Sequence, residues 1–179
     1  MKLIKSLSFN GYPVLSEHGE LVENILNGNE EVLAQACGKH KRVAVMRFEL
    51  KFPVGYTGNV EVISKFFDSL RYRLKNDLLR KTESRGRTVK SDLGYVWVKE
   101  VSGQHGWHYH VAVFLNYDVY NYFGIINSSN MNMYNRILFS WAGALGFSVD
   151  KTRGLVHIPK NPVYKLDRSS MTLNEDIQR

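Results

Sequence analysis

The sequence predicts an α+β fold with a central antiparallel sheet and helices on one face. Three observations carry that prediction. Residues 93–116 contain two alternating apolar runs around Ser102-Gly103-Gln104-His105-Gly106, the pattern of a β-hairpin whose loop exceeds two residues. Two longer segments, 60–83 and 131–145, repeat apolar residues at helical spacing. A period-two run at 42–52 precedes the first of these, and a short apolar run at 154–158 follows the second.

Taken in order, residues 1–41 form an N-terminal arm and short helices. A brief strand is expected within 3–9. Leu21, Val22, Ile25 and Leu26, then Val32, Leu33 and Ala36, predict two short helices parted by a turn at Asn27-Gly28-Asn29. The strand at 42–52 places Ala44, Met46, Phe48, Leu50 and Phe52 on one face and Val43, Val45, Arg47, Glu49 and Lys51 on the other. Pro53, Gly55 and Gly58 close it. The helix at 60–83 buries a stripe from Val62 through Phe66, Phe67 and Leu70 to Leu78 and Leu79. Its remaining face is basic (Lys65, Arg71, Arg73, Lys75, Arg80, Lys81), and the excess continues through Arg85, Arg87 and Lys90 into the next loop. Asp68, Asp77 and Glu83 oppose these cations.

After the hairpin, residues 116–130 read as a long surface connection. The second helix turns Tyr134, Ile137, Leu138, Trp141 and Leu145 inward and ends at Gly146. A last strand at 154–158 stops at Pro159 and Pro162, and the chain turns polar from 161 onward. The order β-α-β-β-α-β is a split βαβ, ferredoxin-like arrangement. Both helices then cover one sheet face and leave the other open, with the charged face of the first strand upon it.

Bulk properties narrow the function classes. A chain of 179 residues suits one domain, and no linker or repeat divides it. No run of about 18 apolar residues and no secretory signal is present, so no membrane partner is expected. The single cysteine, Cys37, excludes an internal disulfide and a cysteine-built zinc site. These features predict a protein of the cytoplasm. Lys and Arg exceed Asp and Glu by 24 to 17, a net charge of +7, which favours a polyanionic partner, chiefly nucleic acid.

The hairpin carries the chemistry. If it is symmetric about Gln104, Glu100 lies opposite His108 and Val98 opposite His110. Directly opposed residues project to one side, so a carboxylate and two imidazoles converge into a candidate divalent-metal site. His105, in the loop, is a further ligand, a phosphate contact or neither. Arg47 and Lys51 on the neighbouring strand, with Arg85, Arg87 and Lys90, are candidate DNA-binding cations, and Glu49 would lie near the metal.

His108-Tyr109-His110, followed by Val-Ala-Val-Phe-Leu, resembles the His-hydrophobic-His motif of HUH endonucleases. Further strings resemble phage and prophage replication proteins of the inovirus Gp2 type: Phe66-Phe67-Asp68-Ser69-Leu70, Tyr95-Val96-Trp97-Val98-Lys99-Glu100, Tyr134-Asn135-Arg136-Ile137, and the stretch from Gly154 to Arg168. The match runs over 42–168, leaving 169–179 as a polar tail. The resemblance implies an HUH (Rep) fold, with Mg2+ or Mn2+ held by Glu100, His108 and His110. The implied reaction is rolling-circle nicking of single-stranded DNA or an origin hairpin, with host replication proteins as further partners. A tyrosine attacks the scissile phosphate, leaving a 5′-phosphotyrosine and a free 3′-hydroxyl. Such proteins carry that tyrosine in a Tyr-Leu-x-Lys helix beyond the matched region. No such string follows Arg168, which predicts a chain cut short before its nucleophile. Tyr164 is the in-chain candidate, and Tyr72, within a Tyr-x-x-Lys string, is a weaker one. A DNA-binding module without cleavage and a phosphodiesterase using water are the rival readings.

Overall fold

The computed structural model describes residues 2–14, 20–56, 61–102 and 106–170. An N-terminal layer comes first: β1 (Leu3–Ile4) pairs with β4 (Leu21–Val22), and β2 (Ser8–Phe9) pairs with β3 (Tyr12–Pro13). Helix α1 (Glu23–Lys39) follows. The body comprises β5 (Arg42–Lys51), α2 (Val62–Arg85), β6 (Gly94–Ser102), β7 (Gly106–Asn116) and α3 (Met133–Leu145). A single turn of helix, α4 (Val149–Thr152), leads into β8 (Val156–His157) and β9 (Val163–Asp167). The fold is α+β, on a five-stranded antiparallel sheet ordered β6-β7-β5, with β8 and β9 both pairing the far edge of β5.

One sheet face is sealed by α2 and α3. Ala44, Met46, Phe48 and Leu50 of β5 and Tyr109, Val111, Val113 and Leu115 of β7 pack on Phe66, Phe67 and Leu70 of α2 and Ile137, Leu138 and Trp141 of α3. Each of these is essentially removed from water, worth about 1.5–3 kcal/mol per large apolar side chain. The indole Nε1–H of Trp141 donates to the Lys51 carbonyl at 3.0 Å, tying α3 to the end of β5. Helices α2 and α3 stop at a left-handed glycine, Gly86 (φ 61°) and Gly146 (φ 72°), where a Cβ would be strained.

Four expectations need correction. Residues 23–39 form one helix, with Asn27-Gly28-Asn29 inside it. Tertiary packing outweighs those local breakers: Val32, Leu33 and Ala36 lie against Val43, Val45, Phe114, Leu166 and Val96. The second sheet face is consequently not open throughout, because α1 covers the half farther from the hairpin loop. The last strand is split. Leu155 and Pro162 carbonyls accept from the Lys51 and Arg47 amides at 2.7 Å each, while Pro159 and Pro162 have no N–H to continue a ladder. Pairing resumes in β9, within the stretch where the chain turns polar. Finally, the 116–130 connection is not all surface, since Tyr120 and Phe123 are buried.

Candidate metal centre

The uncovered half of the second face is a grid set by strand register. In β6 and β7, Glu100 lies opposite His108 and Val98 opposite His110, as the hairpin symmetry predicts. In β5 and β7, Lys51 lies opposite His108, Glu49 opposite His110 and Arg47 opposite Ala112. Alternation places all of these on one side. Gly106, at φ 67°, starts β7 in a conformation that glycine adopts without strain.

At the centre, Glu100 Oε2 lies 2.6 Å from His110 Nε2 and 3.6 Å from His108 Nε2. The two Nε2 atoms are 3.0 Å apart. Ligands at right angles on a cation with bonds of about 2.1 Å stand about 3 Å apart, so these three donors already have the spacing of one face of a coordination shell. His108 is nearly buried and His110 and Glu100 are half-exposed, which leaves the outer side free for solvent or a phosphate. Two imidazole nitrogens and one carboxylate oxygen suit a divalent ion of intermediate hardness.

A second layer surrounds this cluster. Glu49 Oε1 is 3.8 Å from His110 Nδ1, the ring nitrogen turned away from Glu100. A carboxylate at hydrogen-bond distance from such a nitrogen orients a ligating histidine; at 3.8 Å Glu49 stands beside the ring without bonding it. The other Glu49 oxygen lies 3.1 Å from His157 Nδ1. His157 is the member that sequence reasoning missed. It stands in the short apolar run at 154–158, but its face depends on pairing with Glu49, a register no local pattern supplies.

The remaining candidates separate clearly. Arg47 and Lys51 share the face of the cluster. Arg85 ends α2, and Arg87 and Lys90 follow it; the Lys90 carbonyl accepts from the Asn116 side chain. That puts the basic loop at the far end of β7, eight residues from His108, or about 26 Å at 3.3 Å per residue. Tyr164 lies on β9 opposite Val45, four residues or about 13 Å along the strand from Glu49. Its hydroxyl accepts from Arg47 Nη1 at 3.3 Å. Tyr72 is exposed on α2, which packs on the opposite sheet face. His105 lies outside the described residues.

Residues 4–179 match the family described as the YagK/YfjJ C-terminal domain. The chain is 29% identical over 171 residues to the uncharacterized protein YagK of Escherichia coli strain K12, covering 90% of this chain and 82% of that protein. It is 28% identical over 166 residues to the uncharacterized protein YfjJ of the same strain, covering 86% and 79%. No solved structure matches. No helix among the described residues is long and apolar enough to cross a membrane.

Proposed function

The chain belongs to the YagK/YfjJ C-terminal domain family, and we propose that it is a metal-dependent single-strand DNA endonuclease of the HUH type, serving rolling-circle replication of a phage or prophage. The observation that carries this reading is the convergence of Glu100, His108 and His110 on an uncovered sheet face. The strand order and the β-α-β-β-α-β sequence of the body, as in a split βαβ fold, support it. So does the net charge of +7.

In this reading Glu100, His108 and His110 hold Mg2+ or Mn2+, whose charge neutralises the scissile phosphate and polarises it for in-line attack. Glu49 stands beside His110, and Lys51 and Arg47 bind flanking phosphates on the same face. A tyrosine nucleophile would form a bond from its oxygen to phosphorus as the bond to the 3′-oxygen breaks, leaving 5′-phosphotyrosine and a 3′-hydroxyl. The position of Tyr164, about 13 Å along the sheet from Glu49, favours a second reading for this chain, in which water attacks instead.

The test is a single-stranded oligonucleotide labelled at each end and incubated with Mn2+. Cleavage that disappears in His108→Ala and His110→Ala is the expected result. A covalent protein–DNA adduct assigns the attack to tyrosine, and cleavage without adduct assigns it to water. Binding with no cleavage overturns the enzymatic reading.

A further inference from the structure

We propose that a pocket about 13 Å along the sheet from the metal cluster takes one unstacked base of the DNA strand; this deepens the nuclease reading and rests on it for the identity of the strand. The pocket has a volume of about 310 Å3. It is built where the N-terminal layer meets the sheet. Asn10 (φ 48°) and Gly11 (φ 85°) both adopt the positive φ that a tight hairpin requires, so β2 and β3 bring Phe9 directly opposite Tyr12. Opposed residues project together, and both rings line the pocket. The Asn10 amide donates to Glu30 Oε2 at 2.7 Å, which docks that hairpin on α1. Leu33 of α1, Phe114 of β7 and Tyr164 of β9 complete the walls.

Three features choose a base over an apolar guest. Four aromatic rings, those of Phe9, Tyr12, Phe114 and Tyr164, stand among its aliphatic walls, and any base can stack on them. The lining also includes Asn29, together with Glu30 and Arg47, which bond Asn10 and Tyr164 at its wall; these polar groups can meet the hydrogen-bonding edge of a base. The pocket also adjoins a cleft that leads toward the metal site. Arg47 lines both the pocket and that cleft, which runs over Ala112 and reaches Glu49 and His110. From His110 to Phe114 along β7 is about 13 Å, a distance that a short run of nucleotides spans. Ala112 leaves that path low, whereas a larger side chain would block it.

The experiment uses the full chain in EDTA, so that neither metal nor cleavage enters the measurement. Fluorescence anisotropy compares labelled oligo(dT), oligo(dA) and oligo(dC) with an abasic oligomer of equal length. The base-bearing strands should bind more tightly than the abasic one, by roughly five- to hundredfold for one stacked base. Tyr12→Ala, which removes a wall, and Leu33→Trp, which fills the pocket, should erase that preference while leaving abasic affinity unaltered. Thermal melts report whether each variant folds, and Tyr12→Ala decides alone if Leu33→Trp does not. A preference that survives in folded variants overturns the pocket, as does its absence in the parent chain. Equal loss for both kinds of strand also overturns it, because the pocket would then be a purely structural seam. A base preference without Mn2+-dependent cleavage would sink the nuclease reading and leave the pocket standing; cleavage without base preference would do the reverse.

Discussion

Asp77 and Glu100 are carboxylates with different partners in opposite electrostatic conditions. Asp77 is sealed between α2 and α3. It accepts from Lys81 Nζ at 2.6 Å, from the Tyr120 hydroxyl at 2.8 Å and from Arg136 Nη2. Burial pushes its carboxyl up, but the hydrogen bonds from Lys81 and Tyr120 and the nearby guanidinium outweigh that and hold it below the usual range. Every neighbour is a donor. Around Glu100 the neighbours are two imidazoles, and a neutral imidazole presents a lone pair on one ring nitrogen. The atoms that converge there are one acceptor oxygen and two ring nitrogens whose roles depend on the tautomer, at a spacing that one cation could bridge. Where every neighbour is a donor, a polar cluster fastens the fold; where lone pairs can converge on an uncovered face, it is a candidate site.

The sharpest way to break this contrast is to remove one partner from each cluster. Arg136→Ala leaves Asp77 buried beside fewer donors and should cost about 3–5 kcal/mol of unfolding free energy. Glu100→Ala, at a half-exposed position, should stay within about 0.5 kcal/mol of the parent in the absence of metal. Denaturant titration of both variants is the check, and equal losses would end the distinction.

The cation supplies the next effect. At about 100 times its dissociation constant, Mn2+ should stabilise the parent by about 2.7 kcal/mol, raising Tm by roughly 5–10 °C. His108→Ala and His110→Ala should lose that rise entirely, whereas Lys81→Met, in the buried cluster, should keep it. A rise that persists in the histidine variants would place the metal elsewhere.

Acid titrates the buried cluster. Because the folded Asp77 pKa is lowered, its contribution is full above the unfolded value of about 3.9 and is lost as pH falls through the folded one. The stability gap between the parent and Asp77→Asn should therefore narrow below about pH 4. Denaturant midpoints measured across that range decide it; a constant gap would mean the Asp77 charge contributes nothing.

The two clusters were unequally legible in the sequence. Hairpin register follows from alternation and a symmetric loop, both local properties, so Glu100, His108 and His110 could be brought together before any fold was known. Asp77 read as one of a few acids on a basic helix. Its burial depends on Tyr120 and Arg136, which lie 43 and 59 residues away along the chain. The same limit hid His157 and the covering of the sheet by α1, since each depends on contact between segments far apart in the chain. Helix periodicity located α2 and α3 to within a few residues. Inside α1, Asn27-Gly28-Asn29 misled, because propensity there is worth about 1 kcal/mol or less per residue, and packing on the sheet overrides it.

The smallest effect concerns cations, and it asks how far the site extends over the uncovered face. Arg47 stands two residues from Glu49 and within reach of a strand bound at the metal, whereas Arg85 and Arg87 lie near the Asn116 end of β7, beyond the part of the sheet that α1 covers. Removing one phosphate-binding cation from the path of the strand lowers the slope of log affinity against log salt by about 0.7–1. Arg47→Ala should show that reduction with short and long single-stranded oligonucleotides alike. Paired Arg85→Ala and Arg87→Ala should leave the slope for a short oligonucleotide unchanged and reduce it only once the strand is long enough to cross about 26 Å from His108. If the paired variant flattens the slope for short strands while Arg47→Ala does not, DNA lies along the basic loop and not over Glu49 and Ala112, and the uncovered face loses its claim to the strand.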